Sequence, residues 1–443
     1  MSVQKHFAVI GAGLAGLTAA YRLQQPGHAV TVFESEAEVG GRTKTVCRDG
    51  YTIDTGASAV VESYHEYKAL LDEVGLMPAL KPASNVVGVV REARIYELHT
   101  VAMVRSALCT GLLSWPAKLR LLRAFFDVHR ARRRGQLEYT ALERAAALDF
   151  ETARDYALRR LDAEVADYFC DPLIRAMQLA DADKISKVEF FSGIANIFRV
   201  RLYGLEGGVQ RLALALAARV PTRTRCAVRA VREYADGVEL LFAENGVEQR
   251  QHFDGVVVAC PLPAAAAICD AQSPARALHA HFGYGQSITV AFGLRRRPHT
   301  RAYLLEVPKR ESADVALLMV EHNKLEDAAP PGGGLVVACW EAAAAGAMID
   351  ASDDEIIART QPLLTRVMPE IADAIALTHV TRWRTALPFN APGSFAAIGR
   401  FNAQTRKPGR LCFAGDYTSA PGQNNAVASG NRAAQLLLAA FAA

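Results

Sequence analysis

The residues best suited to chemistry stand near the start of the chain, in Phe7-Ala8-Val9-Ile10-Gly11-Ala12-Gly13-Leu14-Ala15-Gly16. Gly11, Gly13 and Gly16 spell G-x-G-x-x-G. The apolar run Phe7 to Ile10 suits a buried parallel strand, and Leu17 to Leu23 suits the helix that follows. The first glycine permits a tight turn, and the second lets a pyrophosphate approach the backbone around Ala15. The third lets helix and strand pack closely, so that the positive helix end faces the phosphates. A second strand, Ala29 to Phe33, ends in Glu34, about twenty residues beyond the glycines. With Ser35 beside it, that carboxylate is placed to accept hydrogen bonds from both ribose hydroxyls of an adenosine, and it repels a 2′-phosphate. Strand, turn, helix, strand and acid together predict a dinucleotide site.

Next come Gly40-Gly41-Arg42-Thr43 and then Asp54-Thr55-Gly56-Ala57-Ser58. Alone, Gly40-Gly41 reads as a plain turn. After a dinucleotide fingerprint, the pair offers amides, and Arg42 a guanidinium, to a second set of phosphate and sugar oxygens. No G-x-S-x-G elbow and no H-E-x-x-H occurs. His279-x-His281 is the close histidine pair, and nothing nearby supplies further ligands, so no metal site is expected. His129 and His379 read as structural.

The elements that must position these groups fit a large soluble α/β protein. With 443 residues, 51% of them apolar and 22% charged, the chain has room for two or three domains. A net charge of +4 argues against nucleic acid as the main partner. The eight cysteines (47, 109, 170, 226, 260, 269, 339 and 412) form no C-x-x-C pair and sit mostly among apolar residues. Buried free thiols in a reducing compartment follow. The first strand begins almost at once, leaving no room for a signal peptide, and no uncharged run reaches the roughly eighteen residues of a membrane helix. A cytoplasmic location is the expectation.

Along the chain, a helix is predicted over Tyr64 to Val74 and short strands over Val86 to Val90 and Arg94 to Leu98. Arg105 to Phe198 then has a helical period almost throughout. Within it, Lys118 to Arg134 is amphipathic, with Leu119, Leu122, Phe125 and Phe126 toward one side and Arg120, Arg123 and Arg130 among the rest. It reads either as a membrane-surface helix, giving a peripheral membrane contact, or as part of an all-α cap with solvated arginines. Gly204 to Val220 is read as a helix and Thr224 to Tyr234 as a strand, with an Asp236-Gly237 hairpin leading into Val238 to Phe242. Ser287 to Leu294, Ala302 to Val307, Val315 to Glu321 and Leu335 to Trp340 alternate with turn residues as an antiparallel sheet does. Asp353 to Met368 is a helix capped by Ser352 or Asp353.

Taken together, Gly11-x-Gly13-x-x-Gly16, Glu34, Gly40-Gly41-Arg42 and Asp54-x-Gly56 resemble the flavin-containing amine oxidase, protoporphyrinogen oxidase and phytoene desaturase superfamily. Gly204-Leu205-x-Gly207-Gly208 and Phe253 to Ala259 agree in the middle of the chain. Trp383-Arg384-x-x-Leu387-Pro388-x-x-x-x-Gly393-Ser394, Leu411 to Thr418 and Asn425 to Gly430 agree at the far end. The likeness runs through nearly the whole chain in the family's order. It implies an α/β fold: a Rossmann-like FAD-binding domain of glutathione-reductase type, with a discontinuous substrate domain of antiparallel sheet plus a helical cap. The FAD-binding parts would be 1–85, 201–275 and 386–443, and the substrate domain 86–200 (with the cap) and 276–385. The resemblance further implies that Val228 contacts the adenine through its backbone and that Ala57 to Ala59 lie at the flavin's reactive edge. Trp383 would pack near the ring, unless it is a core aromatic. Gly415 and Asp416 would hold the ribityl and phosphate, and the amides around Asn425, Ala426 and Val427 would face the pyrimidine ring, where charge appears on reduction.

Departures from the pattern narrow the reaction. Flavin amine oxidases commonly carry a lysine near N5 on the strand that here reads Gly285 to Val290, and Thr289 occupies its place. They also enclose the amine between two aromatic rings, and Ala420 to Asn425 has none. Both differences point away from ordinary amine oxidation and toward the desaturase or protoporphyrinogen oxidase side, where C–C or ring C–N bonds are dehydrogenated. No cysteine lies in Pro388 to Ser394, so a noncovalent flavin is expected. The sequence thus predicts an FAD-dependent oxidase or dehydrogenase that desaturates a largely apolar, cyclic small molecule by hydride transfer to flavin N5. A proton would leave to solvent or to Gln423, Asn424 or Tyr203, and O2 or a quinone would take the electrons. The alternatives are an amine oxidase with a different cage, a flavin-dependent double-bond isomerase, and a non-catalytic flavin- or pigment-binding protein.

Overall fold

The computed structural model describes residues 4–196 and 200–442. Its first sheet has five parallel strands in the order Thr222–Arg223, Ala29–Phe33, His6–Ile10, Gly255–Val258 and Leu411–Phe413. Such strands are covered on both faces and read as unbroken apolar runs; Phe7, Ala8, Val9 and Val256 to Val258 are accordingly wholly buried. The helix Leu14–Gln24 starts three residues before the predicted Leu17, because Gly13 caps it directly in an extended conformation. It crosses the last helix, Gln423–Ala439, so closely that a Cβ on Gly430 would lie 2.3 Å from the Ala15 carbonyl oxygen.

Gly204 to Val220 is not one helix. Leu202–Leu205 is a strand, and the helix proper is Gln210–Ala217. Gly207 and Gly208 stand between them at φ +76° and +94°, left-handed conformations that break a helical path. The predicted strand Thr224 to Tyr234 is the single strand Cys226–Glu233, and a separate short strand precedes it. Thr222–Arg223 joins the parallel sheet, and Cys226–Glu233 opens a three-stranded antiparallel sheet after Arg225 turns at φ +52°. The Asp236-Gly237 turn joins Cys226–Glu233 to Val238–Glu244.

A seven-stranded sheet runs in the order Ile375–Trp383, Ser287–Leu294, Gly334–Trp340, Val315–Val320, Leu304–Glu306, Val86–Arg91 and Arg94–His99. All neighbours are antiparallel except Leu304–Glu306 with Val86–Arg91. One face, with Val90, Leu305, Leu318 and Val336, packs beneath the helix Asp353–Val367. Ser352 and Glu355 cap that helix reciprocally. The edge strand Ile375–Trp383 escaped the sequence reading, since its polar residues hide the alternation.

Met103 to Asn196 forms the helical cap; Phe198, the end of the predicted helical stretch, lies outside the described residues. Tyr139–Leu148 is 3-10 and Ala166–Cys170 is a π turn. The amphipathic segment requires a correction. In the helix Trp115–Arg133, capped by Ser114, the packed face is Ala117, Leu121, Ala124, Val128 and Ala131. Trp115, Leu119, Leu122 and Phe126, spaced to share the opposite side, are each about 60% exposed. Small residues won the inner face because they let neighbouring helices approach. Among the described residues no helix is long and apolar enough to cross a membrane.

Candidate functional site

One continuous cavity of about 1790 Å³ runs from the glycine turn of the parallel sheet to the inner face of the seven-stranded sheet. At its first end, each glycine of the turn has a distinct geometric reason. Gly11 has φ +102°, and a Cβ there would meet the Ala259 carbonyl oxygen at 3.1 Å. A Cβ on Gly16 would stand 1.9 Å from the Gly11 carbonyl oxygen, whereas one on Gly13 would project into open space. Gly13 lines the cavity, so that space belongs to a ligand. Gly40 and Gly41, at φ +116° and +55°, close the other side, and the Gly40 amide donates to the Ala12 carbonyl at 2.8 Å. Glu34 is buried. Its Oε2 accepts from the Ala12 amide at 2.7 Å and its Oε1 from the Glu36 amide at 2.9 Å and the Ser35 hydroxyl at 3.3 Å. The acid therefore ties the glycine turn to its own strand, and its remaining lone pairs can still take hydroxyl donors.

Midway, Arg42 and Asp416 are joined to each other. Arg42 Nη1 donates to Asp416 Oδ2 and to the Ala386 carbonyl, each at 2.7 Å, while the Tyr284 hydroxyl donates to Asp416 Oδ1 at 2.6 Å. Burial works against the Arg42 charge, and Asp416 outweighs it, holding the guanidinium above its ordinary range. Tyr284 escaped the sequence reading because nothing local ties it to residues 42 and 416. Gly415, whose amide donates to Ser429 Oγ at 2.9 Å, lines the cavity with Thr43 and Val228. The last helix opens here after Gly422 with no side-chain cap, as does the helix after Gly13. Two uncapped helix N-termini thus border one cavity, through Ala15 and Ala426.

Beyond them lies the loop Gly56-Ala57-Ser58. Thr289 Oγ1 and the Trp383 indole N–H both donate to the Thr55 carbonyl, at 3.0 and 2.7 Å. Ser58 leads to a buried charge cluster that no local motif announces. Lys324 Nζ is 2.7 Å from Asp54 Oδ2 and 2.5 Å from Ser58 Oγ, and it is ion-paired with Glu321. Ser58 Oγ also lies 3.1 Å from the Tyr303 hydroxyl. Burial opposes the Lys324 charge, but Asp54 and Glu321 more than compensate and hold it well above the ordinary lysine range. Asp54 Oδ1 further accepts from Thr45 Oγ1 and the Val209 amide, so this cluster pins the loop to both halves of the chain.

Some residues singled out from sequence do not reach the cavity wall. Gly16 packs on Gly11, and Val427 is in the core. Asn425 Nδ2 donates to the Ala420 carbonyl, and Asn424 Oδ1 accepts from the Tyr67 amide. Tyr203 is bonded to Glu62 instead. Gln423 does line the cavity; its Nε2 donates to the Ala59 carbonyl at 3.1 Å, and its Oε1 is buried and has no partner among the described residues.

The far end is apolar, with Val87, Val89, Leu98, Leu173, Met177, Leu304, Leu317 and Met319. One carboxylate, Glu306, lies among them, half-buried. Burial alone pushes it up to about 7. Sequence reading passed over it as the end of a short strand.

The model of the flavin containing amine oxidoreductase family matches residues 14–438, and the chain belongs to that family. It is 31% identical over 202 residues to protoporphyrinogen oxidase 2, chloroplastic/mitochondrial, of Arabidopsis thaliana, a match spanning 44% of this chain and 36% of that protein. It is 47% identical over 68 residues to a 4,4'-diapophytoene desaturase (4,4'-diaponeurosporene-forming) of Staphylococcus haemolyticus, which is 15% of this chain and 13% of that one. The chain's matches thus span little more than a third of the curated relatives' length. The fold is shared with a putrescine oxidase solved with putrescine, at 21% identity and a TM-score of 0.79, over 99% of this chain and 100% of that one. The cofactor is FAD. The cavity fits it, with the space a Gly13 Cβ would fill, the two uncapped helix ends and the buried Glu34 carboxylate.

Proposed function

We propose that this chain dehydrogenates a largely apolar, cyclic small molecule with noncovalently bound FAD. The single observation that carries the reading is the wall of the far cavity, built from aliphatic side chains and methionines with no nucleophile–base pair among them. When bound, FAD supplies a two-electron acceptor for hydride at N5, with O2 or a quinone as the final oxidant. Everything else falls to the protein. Glu34, the glycine turns and Arg42 bind the dinucleotide, and the Asp54–Lys324–Glu321 cluster holds the 56–58 loop in place. Thr289 and Trp383 orient the Thr55 carbonyl, and the aliphatic wall excludes water. We further read 1–85, 201–275 and 386–443 as the cofactor-binding unit, and 86–200 and 276–385 as the substrate-binding unit.

Thr289 in place of a lysine, and an Ala420 to Asn425 segment without an aromatic ring, set amine oxidation second. An isomerase that returns the hydride needs no acceptor and is separated by that property. Anaerobic mixing with cyclic enones, porphyrinogens and amines tests the order. Bleaching of the yellow protein by cyclic compounds supports the proposal, and bleaching by amines alone reverses it. Product without bleaching or acceptor indicates isomerisation, and no change with any compound indicates a binding protein. Denatured protein should release all its flavin. The exposed stripe Trp115, Leu119, Leu122 and Phe126 supports a peripheral contact with a membrane surface. Failure to float with anionic liposomes at low salt retires it.

A further inference from the structure

Asp149 and Glu189 are buried acids that share one place in the fold. Asp149 follows the 3-10 segment Tyr139–Leu148, and Glu189 lies on the cap helix Lys187–Asn196. Gln178, the last residue of the helix Asp171–Gln178, and Asn390, directly after the strand Pro388–Phe389, meet Glu189 there. Ser192 stands one helical turn beyond Glu189, on the same side of its helix. All five residues are more than nine-tenths buried. Asn390 Nδ2 donates to Glu189 Oε1, and the Gln178 amide acts on the same carboxylate as a donor. Asp149 Oδ2 accepts from the Phe395 amide at 2.7 Å.

The oxygens left over face no donor. Asp149 Oδ1, Glu189 Oε2, Gln178 Oε1, Asn390 Oδ1 and Ser192 Oγ have no hydrogen-bond partner among the described residues. Turning either amide over would give up its donation to Glu189, so the amide oxygens are not relieved that way. Neither acid is ion-paired among the described residues, and Lys187, two residues from Glu189, is held by Glu151. Burial first, and Asp149 after it, push the Glu189 carboxyl up to about 7, against the pull of Asn390 and Gln178. Elsewhere the chain meets buried acids with a cation of its own: Asp181 has Arg175, and Asp54 and Glu321 share Lys324. A proton held between two of these oxygens serves only that pair, and a water molecule donates to two. A cation serves all of them at once and offsets the paired negative charge.

We propose that Asp149, Gln178, Glu189, Ser192 and Asn390 form a binding site for a hard cation. The ligand set is all oxygen, with neither nitrogen nor sulfur, which suits alkali ions and calcium rather than zinc or copper. The site joins two cap helices to the segments around 149 and 390, behind the cavity wall that Gln178 lines. Its residues come from four separate segments, so no spacing in the sequence announces it. The ion fastens the cap over the cavity, and this role is independent of which bond is oxidised.

Equilibrium dialysis of the flavin-loaded protein tests it. The protein is first freed of metal with a chelator in choline chloride, then dialysed against radioactive sodium, rubidium (the potassium probe) or calcium at constant ionic strength. Retention of one of these ions at about one equivalent per chain is expected. That ion, at roughly a hundred times its Kd, should also raise the melting temperature by about 3 °C. Sodium or rubidium marks the site as monovalent, and calcium marks it as divalent. Glu189→Gln should lose both the retained ion and the rise in melting temperature at unchanged flavin content. Ser192→Ala should weaken binding roughly three- to ten-fold. Retention of none of the three ions by wild type overturns the proposal and leaves a proton or water among these oxygens. Retention that survives in Glu189→Gln overturns it as well. If Glu189→Gln does not fold, the three ions on wild type decide alone.

Discussion

At the Gly11–Glu34 end the cavity wall is backbone, glycine and satisfied charge, whereas at the Val89–Glu306 end it is aliphatic side chains around one unsatisfied acid. The first end is rigid by construction. Its amides are fixed by strand, turn and helix, and its carboxylate is already hydrogen-bonded. The second end has one strong polar demand that the protein leaves unmet. A constant cofactor needs the first arrangement and a discriminated substrate needs the second.

The contrast is most severely tested by the two glycines that share one turn. Gly16→Ala places a Cβ on a backbone oxygen, and we expect a loss of about 4 kcal/mol or more, seen as failure to give folded protein. Gly13→Val meets no protein atom at its Cβ. It should fold with the wild-type far-ultraviolet spectrum and purify without flavin, and a yellow Gly13→Val protein would break the phosphate assignment. Lys324→Met strands Asp54 and Glu321 and should cost about 3–5 kcal/mol by denaturant unfolding. Adding Glu321→Gln to it should recover part of that loss.

Glu306 sharpens the other side of the comparison. Its carboxyl is protonated in the folded chain up to about pH 7, but in the unfolded chain only to the ordinary 4.5. The raised value means that stability present at low pH is lost as pH climbs from about 4.5 through about 7. The loss is at most about 3 kcal/mol. Glu306→Gln should therefore melt progressively higher than wild type between pH 5 and 8, and parallel melting curves would contradict the unpaired burial. The smallest effect is expected from Trp383→Phe. It removes one hydrogen bond while Thr289 still donates to the Thr55 carbonyl, and should cost about 1 kcal/mol in thermal unfolding.

How far the chain could be read without coordinates follows the same division. The strand Ser287–Leu294, the Ser352 cap and the turn geometry at Gly11 and Gly16 were legible, because each depends on near neighbours. Reading Gly204 to Val220 as one helix failed where two left-handed glycines interrupt it. Lys118 to Arg134 is legible as amphipathic, but not which side packs: Ala117, Leu121, Ala124, Val128 and Ala131 face inward, and Leu119, Leu122 and Phe126 face out. Hydrophobic size predicts burial only on average, and close helix packing rewards small side chains.

By itself, the sequence determined the family, the cofactor cradle at Gly11 to Glu34 and the alternation of sheet and cap, since these rest on spacing within short segments. Only the tertiary structure joined Arg42 to Asp416, set Lys324 between Asp54 and Glu321, and put Glu306 in register with Thr289 across four strands. Apart from Lys324 and Glu321, which are three residues apart, those partners are tens to hundreds of residues apart along the chain. Only strand order and register bring them within reach of one another.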